Sequence, residues 1–147
     1  MNTLKLKFEL DSSSFIEPKL IKKRSGKLLV DIQGRLEVFL NDHCFFLEPS
    51  LALLEFGMAL KNWRQEEDFH YYTIEHDERE GPILAFNKIE ENYWTIYSIW
   101  QLYESKELLD LDRIIEAVDL FLLELDRELL KKYGFNMDEF ITSKWIF

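Results

Sequence analysis

Residues 110–133 constrain this chain more than any other segment, because their apolar positions recur at spacings of three and four. Leu111, Ile114, Ile115, Val118, Phe121, Leu122, Leu125 and Leu129 form one stripe of an α-helix. Asp110 or Asp112 offers an N-cap oxygen, and Gly134 stands just past the last turn, where a left-handed residue ends a helix. A helix of about 24 residues rises ~36 Å, so its stripe needs a long partner surface.

The partner surface is expected to be a sheet. Leu4, Leu6, Phe8 and Leu10 alternate with Lys5, Lys7 and Glu9, the period of a half-buried strand. Residues 12–26 form a loop pinned by Phe15, Ile16 and Ile21, and residues 27–33 a second strand. Leu36–Leu40 and Cys44–Leu47 flank Asn41-Asp42, a hairpin connection. Pro49 fits the first turn of a helix over 49–65, whose apolar face includes Leu51, Leu54, Phe56, Met58, Leu60 and Trp63. Gly57 inside that helix predicts a close approach to the sheet.

Aromatic strands follow at Phe69–His76, Pro82–Ile89 and Tyr93–Tyr103, and the tail 135–147 is expected to tuck Phe135, Phe140, Trp145 and Phe147 onto the domain. This order predicts a single α+β domain over 1–147. It would hold an antiparallel or mixed sheet of about six strands with two main helices packed on it. Its parts are N-terminal strands (1–48), a helix (49–65), aromatic strands (69–103), the long helix (110–133) and the tail (135–147).

Catalytic signatures are missing. The five glycines never pair at phosphate-loop spacing, and no HExxH, CxxC, GxSxG or EF-hand pattern occurs. His70 and His76 would share a strand face ~20 Å apart, too far for one metal. His43 and Cys44 point to opposite faces of their strand, and Cys44, between His43 and Phe45, reads as a core thiol. No catalytic residue, metal ligand or cofactor is therefore assigned, and the chain is not expected to be an enzyme. A single cysteine fits a reducing compartment. The N-terminus has no apolar leader core, and no stretch reaches the ~20 apolar residues of a membrane span. A soluble, cytoplasmic protein is expected.

Charge is the remaining signal. The chain has 28 acids against 18 Lys and Arg, a net charge of −10, which disfavours contact with phosphate backbones. Residues 1–35 hold eight bases and four acids, so the acid excess lies in the remainder. The basic run Lys19–Lys27 is expected to be a solvated loop turning at Ser25-Gly26. The acids of the long helix are expected on its wet side. The aromatics of Tyr93–Tyr103, flanked by Glu90, Glu91, Glu104 and Glu107, are expected in the core rather than as a nucleic-acid stacking platform.

One cluster stands out. Glu66, Glu67, Asp68, Glu75, Asp77, Glu78 and Glu80 fall within fifteen residues, with Arg79 as the only countercharge. Like charges within a Debye length of about 8–10 Å repel, so concentration without bases points to a use. With Tyr71 and Tyr72 interleaved as anchors, the expected use is docking of a basic protein, since complementary charge raises association rates and selects partners.

An acidic α+β chain of this size and element order, without a catalytic signature, resembles the immunity proteins of bacterial polymorphic toxin systems. These include the contact-dependent-inhibition and wall-associated toxin types. The resemblance centres on the strand–helix block LEVFLNDHCFFLEPSLALLEFGMALKNW, Leu36–Trp63. It implies a cytoplasmic inhibitor that binds and neutralises a cognate toxin domain, such as a nuclease, and it assigns no residue roles. A different class is also compatible with the residues: a homodimeric adaptor or regulatory domain assembling through strand edges and the aromatic tail, Trp145 and Phe147. A small enzyme would require a deep pocket gathering His43, His70 or His76 with carboxylates.

Overall fold

Both residues of the Asn41-Asp42 turn have positive φ, 49° and 68°. That geometry matches the right-handed twist of a two-residue hairpin. In the computed structural model, which describes residues 2–12, 16–73 and 78–141, this hairpin joins β2 (Gln33–Leu40) to β3 (His43–Ala52). Strand β1 (Leu4–Leu10) pairs antiparallel with β2 in unbroken register from Leu4↔Leu40 to Leu10↔Gly34. The first sheet thus has the order β1-β2-β3.

A second sheet is built from β4 (Phe69–Tyr71), β5 (Leu84–Glu90) and β6 (Tyr93–Tyr97), antiparallel in that order. The fold is therefore α+β with six strands among the described residues, divided between two three-stranded sheets rather than joined in one. The two longest helices are α3 (Leu53–Lys61) and α4 (Leu111–Tyr133), and shorter helical turns are α1 (Pro18–Lys23), α2 (Leu28–Asp31) and α5 (Asp138–Ile141).

Three expectations about the N-terminal half are corrected. Residues 12–26 are not wholly a loop, because Pro18–Lys23 form α1. Residues 27–33 are not a strand. Leu28 and Leu29 are both buried from the turn α2, and β2 begins only at Gln33. Pro49 does not open a helix. It lies within β3, on the edge of the first sheet, where the register shifts between Gly34↔Leu51 and Leu36↔Glu48. An edge bulge is where a residue without an N–H can sit in a strand. The helix starts four residues later, its first amide donating to Ile32 O at 3.0 Å.

Helix α3 is the centre of the molecule. Leu53, Leu54, Glu55, Phe56, Gly57, Met58 and Leu60 are all buried, so it is apolar nearly all round, as a core helix must be. It touches α2, α4, β2, β3 and β4. Phe56 meets Phe69 and Tyr71 of the second sheet and Phe121 of α4 edge-on, at centroid distances of 6.4, 5.0 and 5.4 Å. Phe121 in turn meets Phe8 of β1 at 5.3 Å. Gly57 does permit a close approach, but to Leu125 of α4 and to Met137, not to the sheet.

Helix α4 matches its expected bounds. Asp110 accepts from Arg113 N at 2.9 Å, and Gly134 closes the helix at φ 78°. Ile114, Val118, Phe121, Leu125 and Leu129 are buried, largely along β1 and α3. Phe135 and Met137 of the tail are buried, whereas Trp145 and Phe147 lie outside the described residues.

Gly34 of β2 lies so close to β1 that no side chain fits between them. A Cβ there would stand 2.2 Å from Glu9 O and 2.9 Å from Leu10 Cα, both fixed backbone atoms. Gly34→Ala is therefore expected to lower unfolding stability by about 1–3 kcal/mol, as overpacking of a rigid site does. Urea titration followed by circular dichroism checks this; an unchanged midpoint would show that β1 and β2 can separate freely.

Candidate functional site

The acidic segment is built around two ends of β4. At its start, Glu66, Glu67 and Asp68 are exposed, on a loop held rigidly from both sides. Trp63 Nε1 donates to Glu67 O at 2.7 Å, and Asp68 Oδ1 accepts from Lys88 N at 2.7 Å. Glu90 and Glu91, at the β5–β6 turn, belong to the same end of the sheet, because β5 reaches Glu90 two residues beyond Lys88.

At the other end, a 3-10 turn at Glu78–Glu80 leads through Gly81 into Ile83, whose N–H donates to Tyr71 O at 2.9 Å. Ile83 precedes β5 and lies five residues before Lys88, or ~16 Å of extended chain, about two Debye lengths at physiological salt. The four members of the expected seven-acid cluster with described side chains are therefore divided between the two ends of β4. Glu66, Glu67 and Asp68 join Glu90 and Glu91, and Glu80 stands apart with the turn. Glu75 and Asp77 lie outside the described residues, as does the side chain of Glu78.

Tyr71 does not face a partner. It is 1% exposed, and its hydroxyl donates to Glu55 Oε1 at 2.8 Å inside the core. Burial, and then the adjacent Glu55 carboxylate, push the Tyr71 hydroxyl far above the ordinary tyrosine range. Alternation along a three-residue strand decides this: Phe69 and Tyr71 point inward and His70 outward, where it bonds Asn87 Oδ1 at 2.9 Å. Tyr72, half-buried, follows the strand.

The aromatic strand β6 is split by the same alternation, which corrects its placement in the core as a whole. Trp94 and Ile96 are buried, while Tyr93 and Tyr97 are 48% and 41% exposed. Tyr97 shares a groove of about 550 Å³ with Asn87, Ile89, Thr95, Gln101 and Leu108. Ile89 and Leu108 are 57% and 45% exposed, so the outer face of the second sheet is an apolar surface open to solvent. Glu104, Ser105 and Lys106 form its far wall and also border a second groove of about 480 Å³.

This second groove contains His43, Cys44, Tyr103 and Glu107. Cys44 is half-buried rather than a core residue, and its thiol points back to Phe46 O at 3.4 Å. Partial burial, then Glu107 and Cys44, hold the Tyr103 hydroxyl above its usual range. No group of three or more His, Cys, Asp and Glu that could hold a metal occurs among the described residues. No helix among the described residues is long and apolar enough to cross a membrane.

Sequence reasoning missed two features. Glu55 is 2% exposed, a carboxylate in the middle of the apolar helix α3; its signal was a lone charge within LALLEFGMAL. The outward row Tyr93, Thr95, Tyr97 was legible as period two within a segment that is apolar on both faces.

The chain belongs to the family described as Domain of unknown function (DUF7878), whose model matches residues 6–131. No curated protein and no solved structure matches it.

The Tyr71–Glu55 pair is open to a direct check. Tyr71→Phe removes a donor from a buried carboxylate and is expected to cost about 1–3 kcal/mol. The pH dependence has a definite sign. The folded state keeps Tyr71 protonated, while the unfolded chain releases that proton above about pH 10. Stability should therefore fall as pH rises beyond that point, and less steeply in Tyr71→Phe. Urea midpoints between pH 8 and 11, roughly spanning the tyrosine range, measure both effects; identical slopes in the two proteins would contradict the pairing.

Proposed function

We propose that this chain is a non-catalytic binding protein that neutralises a basic protein partner, in the manner of an immunity protein acting on a cognate toxin domain. The observation that carries the proposal is the adjacency of an exposed apolar face to a rigid acidic loop. Ile89, Tyr93, Tyr97 and Leu108 are open to solvent. Glu66, Glu67, Asp68, Glu90 and Glu91 stand at the end of the same sheet, and Glu104 at its wall. An apolar centre with a charged rim is the composition of a docking site, in which aromatic anchors supply affinity and rim charges supply rate and selectivity.

The loop is fixed before any partner arrives, through Trp63 and Lys88. Little ordering entropy remains to be lost on association, which favours tight binding. The acids can occupy the positions of substrate phosphates on a nucleic-acid-cleaving partner. The aromatic face covers the surrounding surface, and a standard interface of about 1,600 Å² would accommodate both. Blocking of this kind needs no metal or cofactor from the inhibitor.

Toxin domains encoded by genes adjacent to this one in the genome are the probes: protection of cells expressing such a domain tests the proposal, together with calorimetry on the purified pair. Tyr97→Ala is expected to weaken binding about 30-fold or more, as loss of an aromatic anchor does. Replacing Glu66, Glu67, Asp68, Glu90 and Glu91 with Gln or Asn is expected to slow association and flatten its salt dependence. Full protection by both variants would reject the surface; a salt dependence equal to that of the unaltered protein would reject charge mimicry.

A further inference from the structure

We propose that the outer face of α4 pairs antiparallel with the same helix of a second copy of this chain. Leu120, Leu123 and Leu130 are 51%, 58% and 56% exposed. At 100° per residue they lie directly opposite the buried stripe Ile114, Val118, Phe121, Leu125 and Leu129. With Glu116 and Arg127, both exposed, they occupy positions 116, 120, 123, 127 and 130. Those steps of four, three, four and three are the spacing of a coiled-coil seam, in which successive residues face one partner helix. A solvated helix face has no use for three leucines at that repeat, since the other side of α4 already supplies the core contact.

The seam is self-complementary in one orientation only. With the helices antiparallel and the two-fold axis between Leu120 and Leu123, each Leu120 faces the second copy's Leu123. The same register sets Glu116 against the second copy's Arg127, and symmetry repeats the pair, giving two opposite-charge contacts around a leucine centre. It also brings the second copy's Leu130 over Arg113. There, a groove of about 410 Å³ lies between α4 and the paired strands β1 and β2, where Leu4, Phe39, Ala117 and Leu120 alternate with Lys5, Asp42, Arg113 and Glu116. A parallel arrangement would set Glu116 against Glu116 and Arg127 against Arg127, and would leave the groove empty. Charge and shape therefore select a second copy over an unrelated helix. This face is on α4, separate from the second-sheet surface assigned to a partner, so a dimer carries two such surfaces.

Sedimentation equilibrium of the full chain from about 1 to 200 µM reads the outcome, because a dimer is concentration-dependent. The expected result is a reversible dimer that Leu120→Glu and Leu123→Glu abolish, with folding unchanged because both sites are exposed. Glu116→Arg alone and Arg127→Glu alone should each raise the dissociation constant about tenfold or more, since each places two like-charge contacts in the seam. The double exchange, Glu116→Arg with Arg127→Glu, should restore it. A monomer throughout that range, or a dimer indifferent to Leu120→Glu, overturns the proposal. Loss of the dimer in both charge variants without recovery in the double exchange overturns the antiparallel register.

Discussion

Everything else in this molecule is arranged around the burial of α3. A nine-residue helix with seven buried positions cannot be stabilised by one layer, because its apolar surface faces several directions at once. Two small sheets and α4 together supply what one layer does not. Phe56 is where they meet, edge-on to rings from the second sheet and from α4. Such edge-to-face contacts each add about 0.5–1.5 kcal/mol beyond burial, and the chain of rings continues from Phe121 to Phe8. The buried Glu55 fits the same constraint. A carboxylate in that position is tolerable only when hydrogen-bonded, and Tyr71 provides a donor from the second sheet. The helix therefore sets how the sheets sit by a polar contact as well as by aromatic ones.

The two sheets are also coupled by an irregular segment. Leu102 N donates to Phe45 O at 2.8 Å on the edge of the first sheet, and Leu109 exchanges two bonds of 2.8 Å with Trp94 on the edge of the second. Residues 98–109 thus occupy backbone groups on both edges. The β3 and β6 edges, so occupied, are poorer templates for adding a strand. That is the physical reason to look for function on the outer side of β5 and β6, where Tyr97 and Ile89 are exposed, rather than along β3 or β6 edge-on.

Legibility in the sequence followed the strength of periodicity. Helix α4 was readable to within a residue because eight apolar positions, an N-cap and a terminal glycine agree. The Asn41-Asp42 hairpin and β1 were readable for the same reason: alternation and turn chemistry point to one answer. Residues 27–33 were misread because a short apolar run fits a strand or a buried turn equally, and only tertiary packing decides. Pro49 was misread because its helix-starting habit and its tolerance on edge strands compete, and edge position is not visible locally. The division into two sheets was invisible for a related reason: strand order is a long-range property. The candidate site suffered most from this. Proximity in sequence joined Glu66–Asp68 to Glu78–Glu80, whereas the pairing of β4 with β5 separates them and brings in Glu90 and Glu91 instead.

Separation of the acids changes what the net charge of −10 can do. A single patch of seven would act as one strong local field and strongly destabilise the compact state by self-repulsion. The described acids Glu66, Glu67 and Asp68 adjoin one end of β4 and Glu80 follows the other, so screening between them keeps the cost modest. Part of the charge is neutralised locally as well. Arg35 binds Glu9 and Glu37 at 3.1 and 3.3 Å, Arg24 binds Glu139 at 3.0 Å, and Lys61 binds Asp138 at 3.1 Å. These pairs use up Arg24 and Arg35 of the N-terminal segment and Lys61 of α3, and such exposed contacts are individually worth little. Their effect is on the field rather than on stability. They cancel charge at β1, β2 and the α5 turn, whereas Glu66, Glu67, Asp68, Glu90 and Glu91 stand together at the end of the second sheet, beside the aromatic face. That local field would steer the proposed basic partner toward this end, where the apolar surface begins.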